Sequence, residues 1–93
     1  MNDQLIEASL TGENKYSGVV PLGGPFNLSL SGSWVATVTV QRSFDNGVTW
    51  LDVATFNSNG EYVGREIEKA VRYRFGVKTG EYTSGTVVGR LSQ

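Results

Sequence analysis

The sequence has 93 residues, the size of one small domain, and a formal net charge of −1 from eight basic and nine acidic side chains. It lacks cysteine and histidine, which excludes disulfide and thiolate chemistry and removes the usual general base and the commonest metal ligand. The chain has no excess of basic residues, which argues against nucleic-acid binding. No apolar run approaches the roughly 20 residues that span a bilayer. We therefore expect a single non-enzymatic domain over residues 1–93, with no catalytic residue, metal, cofactor, nucleic-acid partner or membrane partner.

Turn-forming and strand-forming residues dominate the composition. Twelve glycines, together with many Val, Thr, Tyr, Phe and Trp, indicate an all-β domain with many turns. No window combines apolar residues at the 3.6-residue helical period with helix caps, and the best helical candidate, Arg65–Ala70, covers one or two turns.

Strands are predicted throughout the first half of the chain. Alternation of apolar and polar residues predicts them at Leu5–Thr11, Tyr16–Val20, Phe26–Ser31 and Trp34–Arg42. The second strand should stop at Pro21, and Leu22–Pro25 should be a loop because of its glycines and proline. The clearest strand should direct one set of side chains to the core, namely Trp34, Ala36, Val38 and Val40.

The segment from Ser43 to Trp50 is predicted to be the turn of a β-hairpin. Its Asn46-Gly47 pair most easily takes the positive φ angles that a tight hairpin turn requires. Asp45 can accept hydrogen bonds from backbone N–H groups just ahead of it. The returning strand, Leu51–Phe56, has an ambiguous alternation that suggests a bulge.

The second half is predicted to contain a turn, a short extended piece, a charged connection and two strands. These are Asn57–Gly60, Glu61–Gly64, Arg65–Lys69, Val71–Lys78 and Gly85–Leu91. Tyr73 lies where an immunoglobulin-type tyrosine corner would lie, or is a half-buried core tyrosine. About seven strands with frequent turns predict an antiparallel β-sandwich of immunoglobulin or fibronectin type, with a small β-barrel as the alternative.

The hairpin is similar to a known motif. Residues 43–50 follow the Asp-box pattern Ser-x-Asp-x-Gly-x-Thr-Trp, which recurs on hairpins of sialidase-type β-propellers as a peripheral folding device. A propeller needs several blades, whereas the chain has one such motif and no internal repeat. We therefore interpret the motif as a hairpin lock formed by Ser43, Asp45, Gly47, Thr49 and Trp50.

The acidic side chains give little support to catalysis or metal binding. Asp45 with Asp52, or Glu66 with Glu68, could meet the spacing of a glycosidase pair, but a compact sandwich of this size leaves little room for a substrate cleft. We interpret them as a turn lock and as solvated charge. Asp45 and its neighbours also supply too few oxygen ligands for calcium.

Two groups of side chains are candidates for partner contacts. Several basic residues alternate with core residues, so they should lie on an outer sheet face, where they either solubilise it or dock on an acidic protein surface. With the N-terminal strand, the protein-interface candidates are Leu5, Ile6, Arg42, Arg72, Arg74 and Arg90. Most aromatic residues should pack in the core or on the hairpin, but if exposed, the glycan-stacking candidates are Trp50, Tyr62 and Tyr82.

Taken as a whole, the chain resembles small structural proteins of tailed bacteriophages. The resemblance lies in Gln41–Trp50, Tyr73–Val88 and Arg90–Gln93. It implies a virion component, foremost a capsid decoration protein that stabilises the outer shell, or else a head–tail or tail protein. The implied partners are the major capsid protein, other virion proteins and further copies of the chain. A carbohydrate-binding adhesion module is the alternative function.

The N-terminal region supports two further expectations. Its polar start, Met1–Gln4, lacks the basic-then-apolar order of a secretion signal, so we expect synthesis in the host bacterial cytoplasm before assembly into the virion. Residues 1–12 are expected to form a strand or arm that contacts a neighbour.

Overall fold

The computed structural model describes residues 4–93, which form nine β-strands and no helix. The strands are β1 Leu5–Leu10, β2 Lys15–Tyr16, β3 Val20–Ser31, β4 Trp34–Ala36, β5 Val38–Ser43, β6 Leu51–Phe56, β7 Gly60–Val77, β8 Tyr82–Gly85 and β9 Val87–Ser92. Seven form one antiparallel sheet in the order β1-β9-β3-β7-β5-β6, with β2 paired to β7, and β4 and β8 form a small second sheet. The predicted all-β antiparallel class is confirmed. Residues 1–3 of the expected N-terminal arm lie outside the described residues.

The longest strand, β7, bends sharply in its middle. A straight strand of its 18 residues would span about 56 Å, whereas the longest extent of the Cα trace is 35 Å. Its first half, Gly60–Glu66, pairs with β3, and its second half pairs with β5 while also touching the start of β3 and β2. Between the halves the single residue Gly23 of β3 opposes the four residues Ile67–Ala70 of β7. We call Ile67–Ala70 the β7 bulge.

The bend lets two groups of strands share one core. The first half of β7 belongs with β3, β9 and β1, and the second half belongs with β5 and β6. The buried apolar side chains from both groups form one cluster of Leu10, Val20, Leu22, Phe26, Leu28, Leu30, Val38, Val40, Val71, Tyr73, Phe75, Val77, Val87 and Leu91. A single core between two groups of strands is the arrangement of a β-sandwich or small barrel.

The structure corrects the predicted breaks around the bulge. Leu22–Pro25, expected as a loop, is part of β3. Pro21 lies at the beginning of this strand and Pro25 lies next to the register shift, and prolines are tolerated at both kinds of position. Arg65–Lys69, expected as a charged connection or short helix, belongs to β7. The extra residues of the bulge are accommodated with Ala70 at a φ of 56°.

Two other predicted strands have different limits. The segment predicted as one strand from Trp34 divides at Thr37, whose N–H donates to the carbonyl of Glu81 at 2.8 Å. As a result β4 pairs with β8, while β5 enters the main sheet. Of the predicted Tyr16–Val20 strand, only its first residue joins β2 and its last begins β3. The expected bulge in β6 is present, since its register against β5 shifts between Val40 and Gln41.

Gly89 of β9 provides a test of the core packing. A Cβ atom there would lie 2.3 Å from a ring carbon of Phe75, which is fully buried. We expect Gly89→Ala to lower the free energy of unfolding by about 1–3 kcal/mol, because the ring must shift within a close-packed core. Urea denaturation measures the change. Gly12→Ala is the control, since its Cβ would meet only the Lys15 side chain at 3.9 Å. Equal midpoints for both variants would contradict this packing.

Candidate functional site

The Asp-box-like hairpin is closed by two short side chains. Asp45 Oδ1 accepts hydrogen bonds from the N–H of Thr49 at 2.8 Å and from the hydroxyl of Ser43 at 2.7 Å. The Ser43 Oγ in turn accepts the N–H of Gly47 at 2.9 Å. Asn46 and Gly47 have φ values of 64° and 88°, the left-handed conformation of an Asn-Gly hairpin turn. The backbone of the turn is therefore fixed from inside by its own side chains.

Trp50 at the end of this segment covers a cation. The guanidinium carbon of Arg74 lies 4.3 Å from the Trp50 ring centroid and 4.0 Å from that of Tyr16. Arg74 Nε also donates to Gln41 Oε1 at 2.9 Å, and burial lowers the pKa of this guanidinium. Cation–π contacts of this kind stabilise the sheet face on which they lie. One face of the Trp50 ring is thus engaged by the protein itself.

A carboxylate lies almost fully inside the protein at the bend of β7. Glu66 is 1% exposed, and its Oε1 accepts the hydroxyl of Tyr73 at 2.6 Å and Arg42 Nη1 at 2.8 Å. Its Oε2 accepts the N–H of Glu68 at 3.0 Å. Burial raises the pKa of Glu66, but the hydrogen bonds from Tyr73, Arg42 and Glu68 together outweigh it, so the pKa lies below its ordinary value. Glu66 is an internal anion bound by three donors.

This network revises two interpretations from the sequence. Glu66, interpreted as solvated charge beside Glu68, is buried, whereas Glu68 is exposed. Tyr73 is 1% exposed and bonds a side-chain carboxylate, whereas a tyrosine corner bonds backbone. Burial and the neighbouring carboxylate raise the pKa of Tyr73 to about 12. Its hydroxyl therefore keeps its proton and remains a donor over the ordinary pH range.

The basic interface candidates divide between two sides of the sheet. Arg72 and Arg74 alternate with buried Tyr73 on β7 and lie on the outer face, as expected. Arg42 lies directly opposite Tyr73 in the register, so its side chain is on the same face as Tyr73 and pairs with Glu66. Arg42 therefore does not share the outer face with Arg72 and Arg74, because the buried Glu66 carboxylate binds it.

The remaining interface candidates lie at the other end of the sheet order. Leu5 on β1 is 46% exposed, whereas Ile6 packs against the core. Arg90 on β9 is exposed and lies opposite Glu7 of β1. These residues share the β1–β9 part of the sheet and are separate from the basic residues of β7.

The aromatic glycan-stacking candidates occupy three different elements. Trp50 lies at the hairpin on Arg74, and Tyr62 of β7 stacks on Phe56 with ring centroids 4.1 Å apart. Tyr82 of β8 donates its hydroxyl to the carbonyl of Gly85 at 2.8 Å. Each ring is partly buried and bound to its own neighbours, so the three do not form one platform.

The two Asp side chains of the possible glycosidase pair have separate partners. Asp45 bonds within its hairpin, while Asp52 accepts Gln41 Nε2 at 2.9 Å and pairs with Lys78. The hydrogen bond from Lys78, followed by that from Gln41, lowers the pKa of Asp52. Both carboxylates therefore serve local structure.

The chain matches no protein-family profile, no curated protein and no solved structure. Within residues 4–93, no group of three or more His, Cys, Asp or Glu side chains is placed to share a metal ion. The same residues include no helix with the length and apolar character needed to cross a membrane. The fold and site define an all-β domain with a locked hairpin and an internally neutralised carboxylate.

Removal of the Arg42 guanidinium tests the buried network. We expect Arg42→Met to lower the free energy of unfolding by roughly 1.5–3 kcal/mol, because it leaves the buried Glu66 carboxylate without its cationic donor. Arg72→Met is the matched control, since Arg72 is an exposed neighbour on the outer face. Urea denaturation at pH 7 compares them. Similar midpoints for the two variants would show that Glu66 does not depend on Arg42.

The hairpin lock predicts a specific response to acid. Hydrogen bonds from Thr49, then from Ser43, lower the pKa of Asp45 from 3.8 to about 2, so the folded state favours the ionised form. Asp45 therefore stabilises the fold above about pH 4, and this contribution is lost as the pH falls through about 2. Asp45→Asn should have a lower melting temperature than the wild type at pH 7. The difference between the two melting temperatures should become smaller as the pH approaches 2. Glu7→Gln is the control for the loss of one negative charge. A difference in melting temperature between Asp45→Asn and the wild type that does not depend on pH would refute the hairpin lock.

Proposed function

We propose that the chain is a non-enzymatic structural protein of tailed-bacteriophage virions, made in the host cytoplasm and located on the outer capsid shell. There it binds in many copies and stabilises the shell as a decoration protein. The resemblance of residues 41–50 and of the C-terminal region supports this class of protein. The geometry adds support through surfaces that suit contacts with neighbouring protein.

The observation that carries the proposal is an open seam between β6 and the first half of β7. In residues 4–93, β6 pairs only with β5, and Gly60–Glu66 pairs only with β3, so each has one free edge. An apolar slot of about 50 Å³ lies between them, lined by Phe26, Leu28, Val40, Val53, Ala54, Phe56, Tyr62, Val63 and Gly64. Beside this slot Val53 and Val63 are 44% and 82% exposed.

Free strand edges with exposed valines favour an assembled state. An unpaired edge offers backbone N–H and C=O groups to another chain, and monomeric proteins usually protect such edges. The sheet order begins at β1 and ends at β6, so one copy can present either edge to a neighbour. Repeated contacts of this kind suit a lattice on a shell. A domain of this size has a thin stability margin, which binding to a partner increases.

Shell binding tests the proposal directly. The purified chain is mixed with capsids of the encoding phage assembled without it, and co-sedimentation measures the bound copies. We expect saturable binding of many copies and a higher melting temperature of the shell, because the ligand binds only the folded assembly. Shells from complete virions, whose sites are already filled, should take up little more.

Other outcomes would assign the chain elsewhere. Binding to isolated tails but not to shells would contradict decoration and favour the tail component. Glycan-array binding that is lost in a folded Trp50→Ala variant would favour the adhesion module. No association with capsids would remove the proposed role.

A further inference from the structure

The β7 bulge holds an apolar side chain in solvent at a fixed position. Ile67 is 87% exposed, the highest value among the large apolar side chains of residues 4–93. The residue before it, Glu66, is buried and bound by Tyr73 and Arg42, and the N–H of Glu68, the residue after it, donates to Glu66. The backbone on both sides of Ile67 is therefore fixed by one carboxylate.

A second exposed apolar side chain, that of Phe44, belongs to the hairpin that faces the bulge. Phe44 is 51% exposed, and its ring centroid lies 4.9 Å from the guanidinium carbon of Arg42, which pairs with Glu66. Phe44 lines a groove of about 310 Å³ together with Lys69 and Arg72. Ile67 and Arg65 line the adjoining groove, of which Lys69 is also a part. The hairpin and the bulge thus form one end of the molecule, joined through the buried carboxylate.

This end carries more positive than negative charge. Arg65, Lys69 and Arg72 are exposed, and the salt bridges found within residues 4–93 involve none of them. The exposed carboxylates at this end are those of Glu68 and of Asp45 in the hairpin, because Glu66 is neutralised by Arg42, so three exposed cations outnumber two exposed anions. A cationic end is notable on a chain whose net charge is −1. We call the surface formed by Phe44, Arg65, Ile67, Lys69 and Arg72 the bulge surface.

We infer that the bulge surface docks on an acidic protein surface with an apolar recess that receives Ile67. An apolar anchor surrounded by cations is suited to such a partner, because the anchor is desolvated while the cations steer the encounter. The fixed backbone reduces the ordering cost of binding. The inference rests on the proposed function for the identity of the partner, which is the outer face of the capsid shell.

The test measures the affinity of the full chain for shells assembled without it. We expect Ile67→Ser to weaken binding at least tenfold, with an unchanged unfolding midpoint because Ile67 contributes little to the core. Val35→Ser is the matched control, since Val35 is 58% exposed on β4, away from the bulge. Its affinity should stay within twofold of the wild-type value.

A second pair of variants tests the charge of the partner. Lys69→Glu should weaken binding at least tenfold, whereas Lys15→Glu, an equal charge change at exposed Lys15 of β2, should have a smaller effect. Wild-type affinity should decrease as the salt concentration rises from about 50 to about 500 mM, because salt screens the attraction between the cations and the acidic partner. The Lys69→Glu variant should show a flatter salt dependence, because one attraction is replaced by a repulsion.

The possible failures are distinguishable. If the wild-type chain binds shells but Ile67→Ser and Lys69→Glu bind equally well, the inference is wrong and the proposed function stands. If the wild-type chain does not bind shells, both are wrong. The wild-type chain is also mixed with phosphatidylcholine–phosphatidylserine vesicles. If it binds them and Ile67→Ser does not, the inference that the partner is a protein is wrong.

Discussion

The buried carboxylate of Glu66 is the constraint on which the shape of the molecule depends. Transfer of an ionised carboxylate into a protein interior costs several kcal/mol unless donors replace its water. Here the donors come from β5, from the second half of β7 and from the bulge backbone, through Arg42, Tyr73 and the N–H of Glu68. A missing donor would leave a buried charge uncompensated, so the arrangement that brings these segments together is favoured over arrangements that separate them. We interpret Glu66 as a residue that specifies the bend, since an apolar side chain could fill the same space without selecting one register.

The bend explains why the surface of the molecule is uneven. At the bulge β7 exchanges β3 for β5 as its main partner, so the β5–β6 hairpin lies beside only the second half of β7. The first half of β7 therefore has no ladder with β6, although Phe56 and Tyr62 stack where the two strands meet. The open seam is a direct consequence of this exchange. The same bulge of four residues opposite one also places Ile67 in solvent. Two candidate contact surfaces thus have one structural cause.

Regular local patterns in the sequence predict most of the fold but none of this bend. Alternation identifies the strand around Val71–Val77, and the Asn46-Gly47 turn is a property of two adjacent residues with few other conformations available. The segment Arg65–Lys69 has no apolar period. Arg65 and Glu66 are held in the strand by pairing with β3, and Ile67–Lys69 belong to the bulge, which has no ladder partner in β3. Glu66 looks like surface charge because carboxylates are rarely buried unless paired. Its partner Arg42 is 24 residues away, a contact that only the tertiary structure creates.

The place where the local rules fail is also the place where we infer a docking surface. Bulges commonly re-aim a side chain at a functional position, and departures from local consistency concentrate at such sites. Ile67 adds little to the core, yet the backbone after it is held by a hydrogen bond to the buried Glu66 carboxylate. A flexible loop would have to be ordered when a partner binds, whereas the folding of this domain has already fixed the position of Ile67. Rigid presentation of an exposed apolar residue gives no advantage to a free monomer, but it strengthens association with another protein.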